Sequence, residues 1–204
     1  MAWSPRESDL IDEILLAAGK ALYLANRFEL KCKRVLHVAH LADIIRDDPV
    51  VALEQAVAQL PGEKKLYDTL AELIARSDTG VSQERAATLH KARKARNDIA
   101  HESAGAIGDL WSYEVRSKID ALRNLRPKVT DLASGDAIVS AWVARIESPG
   151  GDPFTLAPDY SEQAVNWVFA HVPSEWLDPA WTPDHRSPRT IREAVSYVPW
   201  YSRP

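Results

Sequence analysis

Leu10, Ile14, Ala17, Ala21, Leu24, Phe28, Cys32, Val35, Ala39 and Ala42 follow one another at steps of three and four residues. An α-helix makes one turn in 3.6 residues, so this spacing lays all ten along one face. A strand would divide them between two faces. The stripe continues to about Ile45, well past the length of an average helix. Its start is marked by Ser4-Pro5-Arg6-Glu7. Serine is the cap, proline takes the first helical position, and glutamate returns a hydrogen bond to the cap. Glu29 and Lys33 stand four apart and are placed to pair across one turn. An apolar face this long must be buried against other elements, and helices can cover it.

The rest of the chain offers such partners. Asp48-Pro49 predicts the end of the first helix and the cap and first residue of the next. That second helix is expected over residues 50–60, stopped by Pro61-Gly62. Residues 63–75 form a third, with Leu66, Leu70, Leu73 and Ile74 inward, and Ser77-Asp78-Thr79-Gly80 reads as a turn. A fourth helix is expected over residues 82–100, ending at the small-residue run Ser103-Ala104-Gly105-Ala106-Ile107-Gly108. Asp109 is then placed to cap a long helix to Leu125, interrupted at Pro127. Residues 128–147 contain strand formers, and Pro149-Gly150-Gly151-Asp152 is fit to turn a hairpin within 137–157. Leu132, Ile138, Val139, Trp142, Val143 and Ile146 keep helical steps, however, and helix is the expectation.

From Ser148 onward the chain changes character. Nine of its 13 prolines and four of its seven tryptophans lie there. Only residues 161–171 and 190–197 have a helical pattern. The aromatic content argues for a wrap packed on the bundle, with a partner-docking surface as the sharper reading. The expected architecture is therefore all-α. An up-and-down helical bundle spans residues 1–148, and a Pro/aromatic-rich, partly helical extension over 149–204 packs on it.

Composition excludes several functions. The net charge of −4 is unlike that of a non-specific nucleic-acid binder, so any RNA contact has to come from a local patch. A single cysteine, Cys32, permits neither an internal disulfide nor a thiolate metal cage, and it sits in the apolar stripe as a core residue. No signal peptide and no membrane-length apolar run is read, which points to the cytoplasm. His37, His40 and Asp43 step by three, drift round the helix, and read as surface or interface residues rather than metal ligands. No histidine follows a glutamate by three residues, as a di-iron bundle requires. Phosphate-loop, nucleophile-elbow and zinc-protease motifs are missing too, and no cofactor is implied.

One segment carries chemistry: Leu89-His90-Lys91-Ala92-Arg93-Lys94-Ala95-Arg96-Asn97-Asp98-Ile99-Ala100-His101-Glu102. His90, Arg93, Asn97 and His101 step by three and four and line one helical face if the helix continues. Arg96 lies one position round from Asn97, near enough for its long side chain to reach the same space. His101 falls where the small-residue run begins, so its ring is expected to escape the helical constraint. Imidazoles, guanidiniums and an amide suit a phosphodiester. An imidazole takes a proton from a ribose 2′-hydroxyl or gives one to a leaving 5′-oxygen. A guanidinium presents a fork of donors to the non-bridging oxygens. A second basic set, Arg116, Lys118, Arg123, Arg126 and Lys128, is expected to border a positive groove if its helix lies alongside.

At Arg96-Asn97 and His101 the sequence resembles the HEPN (higher eukaryotes and prokaryotes nucleotide-binding) superfamily. Its signature is an arginine, often followed by a polar residue, with a histidine four to six positions beyond. The resemblance in helix order covers roughly residues 5–147, but only the six-residue motif is specific. It implies a metal-independent endoribonuclease of the toxin or antiviral-defence type, leaving 2′,3′-cyclic phosphate ends. It also implies a homodimer cleft lined by Arg96, His101 and Asn97, with RNA as substrate and an antitoxin or sensor protein as a further partner. A polar residue of the first helix, Asn26 or Glu29, is implied to point into that cleft; Arg93 and His90, which share the helix face with Asn97 and His101, are the further substrate contacts expected. Members regulated by adenylylation carry tyrosine two residues after the histidine; Ser103 stands there, which speaks against that control. The alternative is a non-catalytic HEPN-type module that binds nucleotide, RNA or protein. Lys91 and Lys94 read as a solvated face balanced by Glu84 and Asp98.

Overall fold

The computed structural model describes residues 5–76, 80–109, 115–147 and 159–180. They form an all-α helical bundle, with no strand among them. The first helix, α1 (Pro5–Asp47), has 43 residues and is about 65 Å long at 1.5 Å per residue. It is followed by α2 (Leu53–Ala58), α3 (Leu66–Ala75), α4 (Gln83–Asp109), α5 (Val115–Glu147), α6 (Tyr160–Phe169) and a 3-10 turn at Ser174–Leu177. None of these helices is long and apolar enough to cross a membrane.

The stripe of α1 is buried from Leu10 through Val35, whereas Ala39 is half-buried and Ala42 exposed. It meets α4 and α5, which also pack on each other. Leu89, Ala92, Ala95 and Ile99 come from α4; Ile119, Leu122, Val129, Leu132, Ala133, Val139 and Trp142 come from α5. Gly135 of α5 faces Ala92, 17 residues before the end of α4 and 20 after the start of α5, so these two helices form an antiparallel hairpin. Helix α3 lies against α1 and α4. It runs in the direction of α1, because Lys33–Glu63, His40–Glu72 and Asp43–Arg76 pair in rising order.

Gly135 is where backbone approach decides the packing. A Cβ built there would lie 2.2 Å from the Ala92 Cβ and 3.5 Å from Phe28 Cε2. Gly135→Ala would gain about 1 kcal/mol of helix propensity elsewhere. Here the two chains must separate, at a cost of about 1–3 kcal/mol. The variant is therefore expected to be less stable than the parent in urea denaturation; a gain in stability would show that α4 and α5 do not meet at this point.

Three boundaries differ from expectation. Asp48 does not cap a helix beginning at Pro49; α2 starts at Leu53 after Ala52, and the Asp48 carboxylate accepts from the Val50 amide at 3.3 Å. Helix α4 does not break at Ser103–Gly108 but runs to Asp109, so Asp109 ends a helix instead of opening one. Two glycines cost about 1 kcal/mol each in a helix interior and do not terminate it by themselves. Pro127 does not interrupt α5, which continues to Glu147. The proline removes one backbone hydrogen bond, but Leu122, Val129, Leu132 and Ala133 are buried on either side of it, and that packing holds the helix through. The helical reading of residues 128–147 holds. Ser4 of the capping box, the turn at 77–79 and residues 190–197 lie outside the described residues.

The described part of the extension packs on the bundle. Val165, Val168, Phe169, Val172 and Trp176 join the same core as α1 and α5. Its far end is tied to α1 through His171. The Nδ1 atom accepts from Lys20 Nζ (3.3 Å), and the Nε2–H donates to the Glu13 backbone carbonyl (3.2 Å), with the Glu13 carboxylate 3.3 Å away. Burial pulls the His171 pKa below its usual value, and the Lys20 charge adds to this against the Glu13 hydrogen bond. The unfolded chain then takes up the proton first as pH falls. Stability from this contact is present above pH about 6.5 and is lost as pH drops through the lower folded value. The protection factors of the α6 amides, exchange rates corrected for the intrinsic base-catalysed rate at each pH, are expected to fall on acidification from neutrality, and His171→Gln is expected to flatten that dependence; an unchanged profile in the variant would refute it.

Candidate functional site

Because α4 is unbroken, His90, Arg93, Asn97 and His101 form a continuous stripe on its outer side. His101 stays within the helix, exposed, and its ring is not released by a turn as the sequence suggested. Neither the His90 nor the His101 ring makes a hydrogen bond to another described residue. Lys91 and Lys94 are exposed to solvent, as read.

Arg96 sits at the edge of the buried face, next to Ala92, Ala95 and Ile99, and its side chain is 23% exposed. It leaves the core sideways toward α1, where it forms an ion pair with the Glu29 carboxylate, and its Nη1 donates to Asn97 Oδ1 at 3.2 Å. Lys33 holds Glu29 from the other side at 3.0 Å and also pairs with Glu63. Both carboxylates raise the Lys33 pKa, Glu63 the more. The result is a charge chain, Glu63–Lys33–Glu29–Arg96–Asn97, running from the α2–α3 connection across α1 to α4. The two helix-borne candidates of α1 are thereby separated. Glu29 touches Arg96, whereas Asn26 is exposed and its side-chain amide hydrogen-bonds to no other described residue.

Arg93 has a partner that the sequence did not disclose. Its guanidinium lies over the Tyr67 ring of α3, 5.1 Å from the centroid, and Tyr67 is itself exposed. The Nε atoms of Arg93 and Arg96 are both buried without a hydrogen-bond partner among the described residues. An N–H that is neither hydrated nor paired carries a cost that an incoming acceptor would remove.

The α5 basic set does not form the expected groove with this face. Lys118 is buried. Arg123 turns to the extension, donating to the carbonyls of Trp176 (2.8 Å) and Asp178 (2.5 Å). Residues 116, 118, 123, 126 and 128 are spread round the helix at about 100° per residue, which their linear clustering hides. On α1, His40 pairs with Glu72 at 2.8 Å and Asp43 with Arg76 at 2.7 Å. Among the described residues no three His, Cys, Asp or Glu side chains are grouped as metal ligands would be. Cys32 is buried in the core, and burial raises its thiol pKa strongly.

No protein-family model, curated protein or solved structure matches this chain.

Proposed function

We propose that this chain is a metal-independent endoribonuclease of the HEPN type, working as a homodimer with the α4 stripe at the shared cleft. The observation that carries the reading is the presence on one helix of an oriented guanidinium, Arg96 held by Glu29 and Asn97, and an exposed imidazole, His101, whose ring hydrogen-bonds to no other described residue. In the reaction an imidazole takes the 2′-hydroxyl proton and O2′ attacks phosphorus. The P–O5′ bond then breaks, and a proton is delivered to O5′. Arg96 and Arg93 supply N–H donors to the non-bridging oxygens.

The stoichiometry of imidazoles is the argument for two copies. One group must accept a proton while another gives one across a single phosphate. On one chain the other imidazole of the stripe, His90, is eleven residues from His101, about 16 Å along the helix. A second His101 brought in by a two-fold mate meets the requirement. The test is incubation of RNA with the protein in EDTA. Fragments ending in 2′,3′-cyclic phosphate are expected; intact RNA would overturn the reading.

The Glu29–Arg96 ion pair favours a second reading, in which Arg96 is a structural tie and the domain binds RNA without cutting it. That reading predicts retention of RNA with no cleavage in the same assay.

A further inference from the structure

On the other flank of α1 the structure holds a groove of about 370 Å³ between α1 and α6, lined by Tyr23, Arg27, Lys31, Tyr160, Gln163 and Trp167 among others. Arg27 and Glu29 are two residues apart, about 200° round the helix, so this groove is separate from the Arg96 face. Two large rings stand open in it. Tyr23 is 58% and Trp167 45% exposed, meeting edge to face at 6.0 Å. Rings exposed to this degree in one groove offer surface on which a planar, partly apolar ligand can pack.

The charges narrow what that occupant is. Among the described residues no carboxylate lines the groove. Lys31 is neutralised by the buried Asp136 behind it, and Lys20 is engaged with the Trp167 carbonyl (3.0 Å) and His171. Asp159 at the edge is held by the Gln163 amide at 2.8 Å. Arg27 alone among the described lining cations is exposed, and its guanidinium makes no hydrogen bond or ion pair with another described residue. One free guanidinium beside two open rings matches a repeating unit that carries one negative charge and one planar base. That unit is a nucleotide of single-stranded nucleic acid, which proteins hold by stacking bases on aromatic side chains and pairing phosphates with cations.

The walls are preorganised. Tyr160 is anchored on Asp136, Lys20 Nζ lies 5.5 Å from the Trp167 ring centroid, and His171 ties the end of α6 to α1. We propose that the α1–α6 groove is a platform for single-stranded RNA, with Tyr23 and Trp167 stacking bases and Arg27 contacting a phosphodiester. The choice of RNA as the polymer rests on the function proposed above; the groove itself contributes binding and takes no part in the chemistry.

The test measures binding of a fluorescein-labelled oligo(A) by anisotropy over a range of salt, using full-length His101→Ala protein so that the probe stays intact. Adding Trp167→Ala is expected to weaken binding about tenfold, the worth of one stacked base, with the salt slope unchanged. Trp167→Phe keeps a stacking face and is expected to restore most of the loss. Arg27→Ala is expected to flatten the slope of log K against log salt by about 0.7, one phosphate contact on a single strand. A perfectly paired RNA duplex hides its base faces and should be insensitive to residue 167. Oligo(A) binding that neither Trp167→Ala nor Arg27→Ala alters would overturn the platform and leave cleavage at Arg96 and His101 standing. A protein that neither binds nor cuts RNA overturns both.

Discussion

Asp136→Ala is expected to destabilise the fold by about 3–5 kcal/mol, nearer the lower figure. For a chain of this size that is a fall of roughly 10 °C in thermal midpoint. Asp136 is fully buried on α5, and its carboxylate is the meeting point of three helices. Lys31 of α1 donates to both oxygens, at 2.9 and 2.7 Å, and to Ser140 Oγ at 2.8 Å. Tyr160, the first residue of α6, donates its hydroxyl to the same carboxylate. Burial raises the Tyr160 pKa and the hydrogen bond and charge of Asp136 raise it further, so the phenol remains a donor throughout the working pH range.

Removing the carboxylate strands an ammonium and a phenol beside the core. The Lys31 side chain retains 19% exposure and recovers some hydration, which is why the lower figure is favoured. The paired replacement Lys31→Met with Asp136→Leu removes both charges and is expected to regain part of the loss, since apolar packing replaces a buried ion pair at little cost while the Tyr160 hydroxyl still lacks its acceptor. Urea denaturation of the three proteins measures this. A single variant within 1 kcal/mol of the parent would mean the cluster does not clamp the bundle.

His101→Ala is expected to lower the RNA cleavage rate in EDTA by about 10²–10⁴, the range set by a positioned proton carrier. Arg96→Ala is expected to lose about 10²–10³, the worth of a preorganised donor to the charge that develops on phosphorus. Arg96→Lys separates charge from shape. Lysine keeps the cation but loses the planar fork that is held between Glu29 and Asn97, so it should recover little of the rate. Both alanine variants are expected to remain folded. His101 is exposed, and Arg96 leaves Glu29 with Lys33 as its partner. A variant that folds and cuts at the parental rate removes that residue from the chemistry.

The sequence disclosed what depends on local periodicity. The α1 stripe, the Glu29–Lys33 pair and the helical reading of 128–147 all follow from spacing along one helix. Helix ends were less legible, because glycine and proline express a tendency that tertiary packing overrides. The core around Leu122, Val129 and Leu132 carries α5 past Pro127. Least legible were contacts between distant segments. Asp136 lies in Ser134-Gly135-Asp136-Ala137, which looks like exposed chain until Lys31 and Tyr160 arrive from α1 and α6. Tyr67 beneath Arg93 and the α1–α6 groove are hidden for the same reason. Within the candidate site the stripe on α4 was visible; Glu29 was read, beside Asn26, as a substrate contact, and its ion pair with Arg96 was not foreseen. The α5 basic set was misread, because Lys118 turns into the core and Arg123 closes the extension.

The central claim is that α4 cuts RNA with arginine and histidine alone. Its most direct measurement is the initial rate of single-strand RNA cleavage in EDTA by the parent, Arg96→Ala and His101→Ala proteins, with product ends identified by mass. The account predicts 2′,3′-cyclic phosphate ends from the parent and a loss of at least about a hundredfold in each variant. Intact RNA with the parent, or equal rates in all three, would contradict it.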